Sequence, residues 1–191
     1  MKLGDIKKAC LAKKLIRILD CGGNGIWLSN GEAAWPVPDM GWNEKTVPEI
    51  FDLTAKERES VRIQEGNDPA GNWCTLGPLP DEVPLWPVQP LGDTLILSTA
   101  RMPQDGDAIL VWQHNIRPAR CKDEPTEFFL RKWGDGIVVV GYVGVEARVL
   151  TKTLSEDQVA AIQNNLRMLA NMPIRPVGGR DEEEEREVDQ R

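Results

Sequence analysis

Between residues 66 and 93 the chain reads GNDPAGNWCTLGPLPDEVPLWPVQPLGD, with six prolines and four glycines in 28 residues. Proline has no backbone N–H to give and holds φ near about −65°. A stretch so rich in it predicts neither a long helix nor an inner strand. The chain is therefore expected to build its regular structure on either side of this stretch. Trp73, Leu85 and Trp86 keep the stretch apolar, so it reads as a partly packed connector and not as a freely solvated linker.

On the N-terminal side, Ile6, Ala9, Cys10 and Lys13 recur at helical spacing and predict a helix over about 5–13, with Asp5 as its cap. Strand-like runs follow at about 14–20, 26–29 and 33–37. The last two flank Asn30-Gly31, the pair favoured in a type I′ hairpin turn, so the three read as a meander. Thr46–Glu49 and Thr54–Glu57 carry capping-box patterns that open short helices before a strand at SVRIQ. On the C-terminal side, TLILST and AILVWQ flank a turn at Asp105-Gly106-Asp107. EFFLRKW and IVVVGYV flank another at Gly134-Asp135-Gly136, and VEARVL follows. Ser155 and Gln158 form a capping box for an amphipathic helix carrying Val159, Ile162, Leu166 and Leu169, stopped by Pro173. The expected class is α+β: two antiparallel β-rich units with short helices at their edges. The divisions are a helix-plus-meander unit over 1–65, the connector over 66–93, a meander and C-terminal helix over 94–173, and an acidic, disordered tail over 174–191.

Charge is unevenly spread along the 191 residues. Residues 1–17 carry a local +5, residues 180–191 a local −4 and the remaining body −8, for a net −7. Such a body repels nucleic acid except at the N-terminal lysines. No apolar run reaches the roughly 18–20 residues that span a bilayer, and the first residues lack a signal-peptide pattern. A cytoplasmic protein without membrane contact is the expectation. Cys10, Cys21, Cys74 and Cys121 are widely spaced without a CxxC, and His114 is the only histidine, so no metal site or cofactor is implied.

The glycine cluster Gly22-Gly23-Asn24-Gly25 invites a phosphate-loop reading. A dinucleotide loop needs a third glycine at the position of Leu28 and a helix after it, whereas IWLS is strand-like. The cluster is expected to be a turn. His114 as general base with Cys121 as nucleophile is the one enzymatic pairing available. Asp105, Asp107 and Asp135 sit beside glycines, as turn chemistry alone requires, and Ser29 and Ser98 lack a nucleophile-elbow context. The tryptophans carry the binding expectation. Trp27 and Trp35, eight positions apart across the hairpin, are expected on one sheet face, and with Trp42 and Trp86 they form a candidate protein-binding surface. The alternative surface is basic: Lys7, Lys8, Lys13 and Lys14, facing nucleic acid.

The segments WLSNGEAAWPV, VPEIFDL and GIVVVGYVGVEARVL resemble uncharacterised proteins encoded by prophages and mobile elements, over about half the chain. The strand–Asn-Gly–strand step after a short helix also resembles DNA sliding-clamp domains, from which this chain departs in length and in its proline-rich centre. Neither resemblance transfers a functional residue. The expected function is a non-enzymatic interaction protein that binds another protein, in one version inhibiting a nucleic-acid-binding host system through acidic surface. The alternatives are a DNA-associated replication accessory and an enzyme using Cys121 and His114.

Overall fold

The computed structural model describes residues 2–67, 74–133 and 136–170. Trp73, Asp135, Pro173 and the acidic tail lie outside the described residues. Helix α1 (Leu3–Lys13) leads into strands β1 (Leu15–Asp20), β2 (Ile26–Ser29) and β3 (Ala33–Val37). Short helices α2 (Val47–Ile50) and α3 (Ala55–Ser60) precede β4 (Arg62–Asn67). Then come β5 (Val83–Leu91), β6 (Thr94–Ser98), β7 (Ala108–Trp112), helix α4 (Gln113–Ile116), β8 (Glu127–Trp133), β9 (Gly136–Val143) and β10 (Glu146–Lys152). The chain from Met1 to Leu154 forms one compact unit, and Ser155–Arg191 a second. Of the second unit, helix α5 (Glu156–Ala170) is described. It opens on the expected box: Ser155 N donates to Gln158 Oε1 at 2.9 Å, and Gln158 N to Ser155 Oγ at 3.4 Å.

Among the described residues ten strands run in the order β4-β1-β2-β3-β10-β9-β8-β5-β6-β7. The two meanders are therefore not separate domains. β3 pairs with β10 through Ala34↔Leu150 and Ala33↔Thr151, which joins residues far apart in sequence into one sheet. The sheet is mixed, because β4 returns beside β1 in parallel register, Leu15↔Arg62 to Asp20↔Asn67.

The expected connector contains a nine-residue strand, β5, which lies inside the strand order. Its prolines are tolerated because each half of β5 has a ladder on one side only. Val83–Leu85 pairs with β8, and Trp86–Leu91 pairs with β6. Pro87 and Pro90 are an odd number of residues apart, so in a regular strand their missing donors would point opposite ways. A bulge at Val88 corrects this by setting Pro87 opposite Leu97 and Pro90 opposite Leu95, two residues of the same parity on β6. Both rings then take the same non-hydrogen-bonding position.

Alternation distributes the core over both faces of the sheet. Ile16, Ile18, Leu28, Ala33, Trp35, Val37 and Val149 face one cluster, with Ile6, Ala9 and Cys10 of α1 and Val47, Phe51 and Leu53 around α2. Leu19, Trp27, Ala34, Val138, Val140, Tyr142 and Leu150 face another. A third cluster gathers Leu85, Leu95, Leu97, Val111, Ile116, Phe128 and Val139. β3 is buried at all five positions because both of its faces are covered, which explains why AAWPV is continuously apolar and not alternating.

Three local expectations move. The Thr46–Glu49 box does not form: Thr46 is itself helical at φ −85°, and its hydroxyl donates to Gly41 O at 2.7 Å in place of capping α2. Helix α1 begins two residues earlier than Asp5, with Lys2 at its cap position, and Asp5 instead sits in the first turn. There its carboxylate still meets the positive end of the helix dipole. The hairpin turn is centred on Gly31-Glu32 and not on Asn30-Gly31, with Asn30 N donating to Ala33 O at 3.1 Å. Positive φ occurs at Gly31 (87°) but not at Asn30, the placing of glycine found in II′ turns. The box at Thr54 forms as expected, and Thr54 N donates to Glu57 Oε2 at 2.8 Å. That bond holds the Glu57 carboxyl below its usual range.

Candidate functional site

The glycine cluster is a turn. Gly22–Asn24 forms a single 3-10 turn closed by Cys21 N to Gly25 O at 3.0 Å, with Gly22 N donating to Asp20 Oδ1 at 2.9 Å. The N–H groups of Cys21, Gly22, Asn24 and Gly25 are spent within the loop, and β2 follows in place of a helix.

Burial removes three of the four tryptophans expected at a binding surface. Trp27 and Trp35 are both 0% exposed, and Trp42 is buried against Phe51 at a ring separation of 5.5 Å. Trp27 and Trp35 also face opposite sides of the sheet. The hairpin register sets Trp35 across from Leu28 and Trp27 across from Pro36, so side chains one position apart point oppositely. Each indole N–H has a partner: Trp27 donates to Asn24 O, Trp35 to Asn115 O and Trp42 to Pro38 O. Trp86 alone of the four is only partly buried, with the Arg101 guanidinium carbon 5.9 Å from its ring centroid.

The lysines do not form one face. Lys7 donates to Asp52 O at 3.0 Å and pairs with Glu57. Lys13 pairs with Glu32 at 2.6 Å. Lys14 ends α1 in the left-handed conformation at φ 54°. Lys8 is the most exposed of those in ion pairs, 3.9 Å from Asp5.

What the sequence did not bring together is a cleft of about 290 Å³ between α1 and α4. Lys8, Lys13 and Asp5 line it from one side, and His114 and Arg117 from the other, over Ala9 and Ala12. His114 Nδ1 bonds Asp93 Oδ2, and the ring stacks on Trp112 at 5.8 Å with planes 20° apart. His114 therefore pairs with an aspartate and not with Cys121, which is exposed on the loop beyond Ala119. Among the described residues no group of three or more His, Cys, Asp and Glu side chains comes together as metal ligands would.

The cleft floor rests on a buried polar chain that sequence reasoning missed. Asn30 Oδ1 accepts from Glu32 N and Ala33 N at 3.0 and 2.7 Å, closing the hairpin. Its Nδ2 donates to Ala9 O on α1 and to Asn115 Oδ1 on α4. Asn115 Nδ2 reaches Thr151 Oγ1 on β10 at 3.4 Å. Asn30 was legible as a turn former, but its amide also ties three distant elements together.

A second buried polar centre holds the described part of the segment before β5. Arg131 of β8 donates from Nε to Glu82 Oε1 at 2.6 Å, from Nη1 to Thr75 O and from Nη2 to Gly77 O. Its Nη2 also reaches Tyr142 OH at 2.6 Å, and that hydroxyl donates to the Glu82 carboxylate at 2.9 Å. Both charged side chains are almost wholly buried, 1% and 3% exposed. Burial also pushes the Tyr142 phenol above its usual range and the Cys10 thiol up to about 12. Folding raises both values, so the stability they contribute is complete below the unfolded-chain pKa values, roughly 8.5 for Cys and 10 for Tyr. It is lost as pH rises toward the folded values. The urea midpoint is accordingly expected to fall from pH 8 to pH 10, and Cys10→Ala is expected to shrink the fall. An unchanged difference in that variant would assign the loss to other groups.

Among the described residues no helix is long and apolar enough to cross a membrane. No protein-family model, curated protein or solved structure matches the chain.

Proposed function

We propose that this chain is a non-enzymatic interaction protein that binds another protein through the surface around Trp86. One observation carries the reading: Trp86 is partly buried with Arg101 over its ring, and Met102, next to Arg101 in sequence, is 60% exposed. Tryptophan and arginine dominate binding hot spots because each buries a large, stiff or planar surface on contact. Val88, exposed on the same strand at the bulge, extends the apolar area. The net charge of −7 favours a partner with a basic surface, and complementary charge acts chiefly on the rate of encounter.

Affinity purification from a bacterial lysate at low and high salt tests this, with wild type beside Trp86→Ala and Met102→Asp. The expected result is a partner that wild type retains, that both variants lose, and that high salt weakens. A partner held equally by the variants removes the Trp86 surface from the reading. Failure to retain any partner removes the reading itself.

A further inference from the structure

We propose that the cleft between α1 and α4 is an oxyanion site that takes a phosphate-type dianion. It shares no residue with the Trp86 surface, so either proposal can fail alone. Lys8 and Lys13 reach it from α1, while His114 and Arg117 reach it from the α4 turn. The last two are three positions apart across one helical turn, which sets them on one side. Asp5 is the single acid lining the cleft, and it lies beside Lys8. Ala9 and Ala12 add no charge to the lining, while the carboxylates of Asp5, Glu32 and Asp93 already engage Lys8, Lys13 and His114, so Arg117 is the donor a bound oxyanion would meet without a carboxylate in between.

The surrounding contacts hold these donors in place. Glu32 fixes the Lys13 ammonium at 2.6 Å, and Asp93 together with the Trp112 ring fixes the plane of His114. With Nδ1 engaged, Nε2 is the remaining polar atom of that ring. A tetrahedral anion offers oxygens to both walls at once, whereas a planar carboxylate offers two oxygens to one wall. Charge-assisted bonds from Arg and Lys to such oxygens are the strong ones. At about 290 Å³ the cleft is at the small end of ligand pockets, a size for a phosphoryl head group and not for a whole nucleotide.

The test is a calorimetric titration of the full chain with inorganic phosphate at constant ionic strength, with acetate as the planar comparator. Saturable phosphate binding is expected, with acetate at least tenfold weaker. Lys8→Ala and Arg117→Ala are each expected to weaken phosphate at least tenfold, and Arg117→Lys by less. Both side chains are exposed, so unchanged melting temperatures will certify the variants as folded. Phosphoserine and adenosine 5′-monophosphate then compete against bound phosphate. Displacement by either supports the site, and the tighter one names the source as a modified protein or a nucleotide. Non-saturating uptake, equal affinity in wild type and Arg117→Ala, or displacement by neither competitor overturns the proposal.

Discussion

Replacing Arg131 with methionine is expected to cost about 3–5 kcal/mol of folding stability, the range seen when one partner of a buried ion pair is removed. For a chain of this size that lowers the melting temperature by roughly 6–20 °C. The loss comes less from the missing attraction than from what remains. Glu82 would be left as a nearly buried carboxylate, and the carbonyls of Thr75 and Gly77 would lose their guanidinium donor. The double variant Arg131→Met with Glu82→Gln should recover part of the cost, because the stranded charge is then gone. Denaturant unfolding of the two variants measures the coupling. A single-variant cost under about 1 kcal/mol, with no recovery in the double, would mean that the centre does not hold the segment around Thr75–Glu82.

Trp35→Ala and Trp27→Ala are each expected to cost about 3–5 kcal/mol, as large-to-small changes in a packed core do. Trp35 also leaves the Asn115 carbonyl without its indole donor at 2.8 Å. Had these rings formed a contact surface, their removal would leave stability within about 0.5 kcal/mol, the usual range for surface changes. Urea unfolding therefore decides between core and surface for each ring. Trp86→Ala, at a partly buried position on β5, should destabilise less while abolishing partner retention. The contrast separates rings that hold the fold from the one available for recognition.

Elements whose signals are local were legible in the residues. β1 follows from alternation, β2 and β3 from the Asn30-Gly31 turn they flank, α3 from the Thr54–Glu57 box, and α5 from Ser155 and Gln158. The hairpin at Asn30-Gly31 was legible as a turn, yet its centre lay one residue on. Asn30 lends its side chain to Glu32 N and Ala33 N, so Gly31 takes the first central position. β5 was not legible, because proline content argues against an inner strand unless neighbours pair it on alternate sides and a bulge restores parity. The candidate cleft was legible only in fragments. Lys8, Lys13 and His114 stood out singly, and Arg117 joined them once α1 and α4 met over Asn30 and Asn115.

By itself the sequence determined that α1, α3, α5 and the strands outside the proline-rich stretch form, because caps, turn glycines and apolar periods act between residues a few positions apart; the start of α1, the centre of the β2–β3 turn and the existence of β5 were beyond that reach. It also determined that Gly22–Gly25 is a turn, since the strand after it supplies no helix N-terminus. Only the tertiary structure decided that β3 meets β10, that Trp27 and Trp35 lie back to back across the sheet, and that Arg131 finds Glu82 and Tyr142. Those outcomes rest on strand pairing between distant segments. A local pattern can state that a face is apolar without stating what will cover it.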